Sequence, residues 1–291
     1  MKICLRTHMV SDDPAVRVDY CQQVGVTSVQ ESAKSIPSAV GRGWPTAAEL
    51  RGYRQRFDDA GVEIIGLEPV KEPVRSWVED TPVGRESFEI FARHLDAAGA
   101  AGIPSVTLHP PLDDARSPAE AAEQFRQNCE FYVRASRRAR EAGTRLATHS
   151  PWPPLKGLWG AKEYDSLFSA VPEPENGMIF CFGCMALSGY DVRAVLPRFV
   201  DRTFMVHVRD IVIHPDGQVD EVFPGTGEVR PDTAIALLHE LGYRGAIAPE
   251  HLPNVFGEKK NEISMAWAVG YCRAVLEELN RPRGEMRDNS G

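Results

Sequence analysis

Short apolar or β-branched runs alternate with amphipathic stretches along the whole chain. The strand-like runs are KICLR (2–6), VTSVQ (26–30), VEIIGL (62–67), SVTLH (105–109), RLATH (145–149), MIFC (178–181), TFMVH (203–207) and AIAPE (246–250). Helical periodicity fills the intervals at 46–60, 84–101, 118–142, 189–199, 231–241 and 263–280, and more weakly at 13–24 and 162–170. Several strands are entered through a glycine that stops the preceding helix, as in DDAGVEIIG and EAGTRLATH. Glycine reaches the left-handed C-cap conformation without the penalty other residues meet. Near-continuous apolar strands joined by helices predict a parallel sheet covered on both faces. Eight such units predict an α/β fold of the (β/α)8 TIM barrel type over residues 1–280, followed by a polar tail at 281–291. The main rival, a doubly wound open sheet, would place a Gly-rich phosphate loop after the first strand, and none follows KICLR.

Composition narrows the function classes. The 291 residues are 43% hydrophobic and 25% charged, an ordinary globular balance. A single α/β barrel of about 250 residues accounts for that length without a linker. The net charge is −8, and the densest basic run, RASRRARE (134–141), reads as the solvated face of a helix, which disfavours nucleic acid as a partner. No apolar run approaches the roughly 20 residues of a membrane span, and MKICLRTHMV is too short and interrupted for a signal peptide, so a cytoplasmic protein is expected. Six scattered cysteines in such a chain need no disulfides.

Chemistry in a barrel gathers where strands end. The strand ends here carry Arg6 and His8, Gln30 and Glu31, Glu68, His109, His149, Cys181, His207 with Arg209, and Glu250 with His251. One histidine at a strand end is ordinarily a satisfied rim residue. Four potential ligands ending the fifth to eighth strands in succession are another matter. His149, Cys181, His207 and Glu250 would converge on one side of the mouth. Two imidazoles, a thiolate and a carboxylate suit a divalent transition metal, whereas magnesium and calcium prefer all-oxygen shells. Cys181 opens the C-x-x-C of FCFGC (180–184). Its partner Cys184 falls in the following loop, as a second ligand, a redox partner or a bystander. No second C-x-x-C or H-x-x-H completes a zinc knuckle.

These residues bring a family into view. The segment NGMIFCFGCMALSGYDVRAVLPRFVDRTFMVHVRD (176–210) resembles the mannonate dehydratases of the xylose-isomerase-like barrels, with a Cys at one strand end and His-x-Arg at the next. LLHELGYRGAIAPEHLP (237–253) resembles that family's stretch around Pro-Asp-His, and AWAVGYCRAVLEELN (266–280) its final helix. The resemblance implies a divalent metal on His149, Cys181, His207 and Glu250, with Glu250 in place of an Asp. Manganese is expected first, with iron, cobalt or zinc as alternatives. It further implies removal of water from a sugar acid to give a 2-keto-3-deoxy acid, with His251 in acid–base catalysis and Arg209 steering an anionic substrate. Arg6, His8 and Trp152 are expected on the substrate side, and relatives of this kind are commonly homo-oligomers. The chain also departs from the pattern. Pro151 and Trp152 in HSPWPP replace an acidic pair, and a Tyr expected after the catalytic His has no counterpart in NVFGEKKNEISM (254–265). The alternative is a metal-dependent sugar isomerase or epimerase, with Glu68 and His109 as its acid–base pair. A barrel that binds a ligand without turnover is the third reading.

Overall fold

The computed structural model describes residues 1–71, 75–112, 115, 117–151 and 159–281. Residues 282–291 of the tail expected at 281–291, and Trp152, expected on the substrate side, lie outside the described residues. Ten strands occur among the described residues: β1 (Lys2–Arg6), β2 (Ser28–Ser32), β3 (Glu63–Glu68), β4 (Val106–Leu108), β5 (Leu146–Thr148), β6 (Asn176–Cys181), β7 (Thr203–Val208), β8 (Asp210–Ile213), β9 (Val219–Val222) and β10 (Ala246–Pro249). Eight close a parallel barrel in the order β1-β10-β7-β6-β5-β4-β3-β2. This is the TIM barrel that the alternation predicts. β8 and β9 pair antiparallel outside it, so the segment around PDGQ (215–218) is a hairpin inserted after β7.

Helices fill each interval between barrel strands. Pro118–Ala142 begins at Ser117, whose hydroxyl accepts from the Glu120 N–H, and ends at Gly143 with φ 79°. Ala47–Asp58 opens with a capping box between Thr46 and Glu49. Two short helices were not expected, Pro37–Arg42 and Phe182–Leu187. The second corrects the placement of Cys184 in a loop: Cys184 is buried within that helix. A run of six mostly apolar residues is too short to show a 3.6-residue period, which is why the pattern missed it.

The main core lies between barrel and helices and includes Phe180, Val206 and Ile247. A smaller cluster, Cys4, Ile65, Ala147, Ile179, Met205, Ala246 and Ala248, fills the barrel itself. Side chains alternate across a strand. The inward set of β5, β6, β7 and β10 therefore continues two residues beyond Ala147, Ile179, Met205 and Ala248. Those next positions are His149, Cys181, His207 and Glu250.

Candidate metal centre

The four potential ligands sit together above the apolar plug. His149, Cys181, His207 and Glu250 are all buried, and one ligand atom from each lies within 4.8 Å of the others. Cys181 and His207 are direct partners in the β6–β7 register. Glu250 Oε2 is the common point, 3.0 Å from His207 Nδ1, 3.7 Å from His149 Nε2 and 3.7 Å from Cys181 Sγ.

Gln30 fixes how His207 presents itself. The Gln30 amide donates to Thr107 Oγ1 at 2.9 Å, which turns its carbonyl oxygen toward His207 Nε2 at 3.3 Å. An imidazole that donates from Nε2 keeps its Nδ1 lone pair free, and that nitrogen faces Glu250. His207 Nδ1 and His149 Nε2 are both buried and neither makes a well-aligned hydrogen bond, although both face Glu250 Oε2. Buried polar atoms are normally satisfied. Two imidazole nitrogens converging with a thiol on one carboxylate fit a transition ion that takes N, S and O donors. Replacing Gln30 with Leu should weaken metal binding about 10–100-fold while leaving the ligands in place, as measured by competition with a chelating dye.

Further groups line a small cavity of about 170 Å³ at the barrel mouth, namely Arg6, Glu68, His109 and His251. Arg6 donates to Glu68 Oε1 from Nε and Nη2 at 3.1 and 2.7 Å, and to Glu250 from Nη1. Burial opposes the Arg6 charge, but the two carboxylates hold it firmly positive. Burial would also raise Glu68, yet Arg6 keeps its carboxyl below the usual range. The His109 ring meets the His149 ring edge-on, with centroids 5.3 Å apart. His8 stands behind the cavity, 3.9 Å from Glu68 Oε2. His251 has a left-handed backbone, φ 50°, which for a non-glycine residue is uncommon and mildly strained. Its Nε2 lies 3.5 Å from Glu250 Oε1 and its Nδ1 3.1 Å from Glu221 Oε1. Arg209 is fully buried and pairs with Glu221 and Cys184 rather than lining the cavity. Glu31 points out of the barrel to Arg17 and Tyr53, at 2.7 and 2.6 Å, as part of the fold's support.

Residues 18–268 match the family described as xylose isomerase-like TIM barrel. The chain belongs to that family. Within the xylose isomerase-like barrels it is similar to the mannonate dehydratase of Streptococcus pneumoniae (strain 70585), at 22% identity across 95% of this chain and 93% of that protein. Mannonate dehydratase 1 of Bacillus licheniformis is 24% identical over 168 residues; the match spans 53% of this chain but only 46% of that relative's length. The crystal structure of mannonate dehydratase from Streptococcus suis serotype 2 superposes with a TM-score of 0.78 at 22% identity, over 96% of this chain and 93% of that one. The IOLI protein, solved with a zinc atom, has a TM-score of 0.73 at 15% identity, over 96% and 98%.

In this xylose isomerase-like barrel the four candidate ligands differ in the proton load their surroundings favour. Burial lowers His149, but the Glu250 carboxylate reverses this and raises it to about 10. Burial pushes the Cys181 thiol up as well. Burial lowers His207 to about 4. Burial would raise Glu250, but His207, Arg6 and His149 hold it well below the usual carboxylate range. Near neutral pH, His149 and Cys181 are therefore protonated, while His207 and Glu250 are ready to ligate. A metal bound here would displace about two protons, so apparent affinity should rise about 100-fold per pH unit around neutrality. Calorimetry in buffers of different ionisation enthalpy would count those protons; release of none would contradict this ligand set.

The strand-end reading names the four candidate ligands that the structure brings together but assigns no role to Gln30, which lies within β2. It misses Glu221, whose position depends on the hairpin folding back over the mouth. The only sequence signal was the D-G turn between two short alternating runs.

Proposed function

We propose that this chain is a metal-dependent carbon–oxygen lyase that removes water from a sugar acid to give a 2-keto-3-deoxy acid. The observation that carries the reading is the convergence of His149, Cys181, His207 and Glu250, whose ligand atoms lie within 4.8 Å of one another, beneath a cavity flanked by His109 and His251. Similarity to a mannonate dehydratase over 95% of the chain supports the substrate class.

His149, Cys181, His207 and Glu250 would hold a divalent ion, manganese by resemblance, with iron, cobalt and zinc compatible with the same donors. When bound, such an ion supplies Lewis-acid stabilisation of negative charge developing on substrate oxygens. With Cys181 as thiolate and Glu250 as carboxylate, the ligand charges balance a divalent ion. Arg6 stands at the cavity wall with its charge already paired by Glu68 and Glu250, so a carboxylate substrate would share it with them. His251 and His109 follow β10 and β4, which are four places apart in the eight-strand order and so lie opposite each other. Two proton-exchanging imidazoles on opposite sides suit loss of the proton beside the carboxylate and of the neighbouring hydroxyl.

The test is incubation of metal-loaded protein with a panel of aldonic acids, followed by a colour reaction for 2-keto-3-deoxy acids. At least one member should give signal. Glu68, ionised at the cavity wall, is the observation that favours the isomerase alternative. Interconversion of free sugars without any keto-deoxy product would establish that alternative instead.

A further inference from the structure

The hairpin β8–β9 has no place in the barrel, yet it sends one side chain to the mouth. Glu221 lies opposite Ile211 in the hairpin register, and its Oε1 accepts from two directions. On one side is His251 Nδ1, at 3.1 Å. On the other is Nη2 of the buried Arg209. Arg209 reaches this position by crossing the helix Phe182–Leu187 at Gly183, where a Cβ would lie 2.8 Å from the arginine Cγ and Cδ. Its Nη1 meets Cys184 Sγ at 3.8 Å. A two-stranded hairpin is marginal alone. This one is tied down by Asp210, whose carboxylate accepts from the backbone N–H groups of Gly225, Gly227 and Val229 at 2.8, 3.0 and 3.1 Å. Glu221 is thus held by a buried cation and by an anchored hairpin.

The geometry assigns Glu221 as the positioning residue of His251. An ionised carboxylate only accepts hydrogen bonds, so it keeps the proton on Nδ1 and leaves Nε2, at the cavity wall 3.5 Å from Glu250 Oε1, as the nitrogen that meets substrate. Without Glu221 the ring would be held only by its contact to Glu250, a candidate metal ligand. The left-handed backbone at His251, φ 50°, is the conformation in which the ring meets Glu221. The inference rests on the dehydratase reading for the substrate, but the tautomer is a property of the chain.

The decisive measurement is nitrogen-15 NMR of histidine-labelled, zinc-loaded protein, with the His251 signals assigned by their loss in His251→Asn. The wild type should show a protonated Nδ1 and a Nε2 free of proton or in exchange. A Nδ1 without a proton overturns the proposal. Glu221→Ala should lower kcat about 10–100-fold with KM and metal content near wild type, and Glu221→Gln, which keeps an acceptor oxygen, should recover most of the loss. Unchanged kcat in folded Glu221→Ala would overturn the assignment. If that variant fails to fold, the wild-type spectrum alone decides. Should the wild type turn over no sugar acid, the dehydratase reading fails while the spectrum still settles the role of Glu221.

Discussion

Cys181→Ala should purify almost without metal and lose turnover by more than about 100-fold, beyond what loss of an outer partner costs. The residue is 1% exposed, on a strand end, so the truncation reaches the site without disturbing the surface. It removes the one soft ligand and one of the two negative charges that balance a divalent ion. His149, His207 and Glu250 remain, and their mutual contacts with Arg6 persist. The variant should fold, because the Cβ and the barrel packing around Ile179 and Met205 are kept. Elemental analysis beside a thermal melt distinguishes loss of metal from loss of fold. Full metal content in Cys181→Ala would remove Cys181 from the ligand set.

His251→Asn has the opposite signature. Metal content should be unchanged and kcat should fall about 10²–10⁴-fold, the range for loss of a general acid–base group. Asparagine is among the residues that tolerate positive φ, so the turn at φ 50° survives. The side chain is shorter and does not exchange a proton near neutral pH. Retention of full activity with metal bound would show that His251 has no acid–base role. Together the two variants separate holding the ion from moving the proton.

The barrel was legible because it rests on repetition. Eight apolar runs, each followed by a helical stretch, survive errors of a residue or two at their ends, as at β2, expected over 26–30 and found at Ser28–Ser32. The candidate ligands were legible for a related reason. The two-residue period that buries Ile179 and Met205 inside the barrel also carries Cys181 and His207 to its mouth. Contacts made by non-repeating parts were not legible. Phe182–Leu187 is short and apolar, so its helix leaves no periodic trace. Arg209 follows His207 by two residues and seems by parity to enter the mouth, but β7 ends at Val208 and the chain turns into the hairpin. Glu221 and Gln30 matter through partners 30 and 177 residues away along the chain, His251 and His207. No local pattern encodes such pairings.

The most direct test of the metal centre is an anomalous-scattering experiment on crystals grown with manganese, recorded at energies that distinguish it from zinc and iron. One ordered peak is predicted, bonded to His149 Nε2, Cys181 Sγ, His207 Nδ1 and Glu250, with metal–ligand distances of about 2.0–2.3 Å. A map without a peak among these four side chains, or with its ordered ion held elsewhere, would contradict the account.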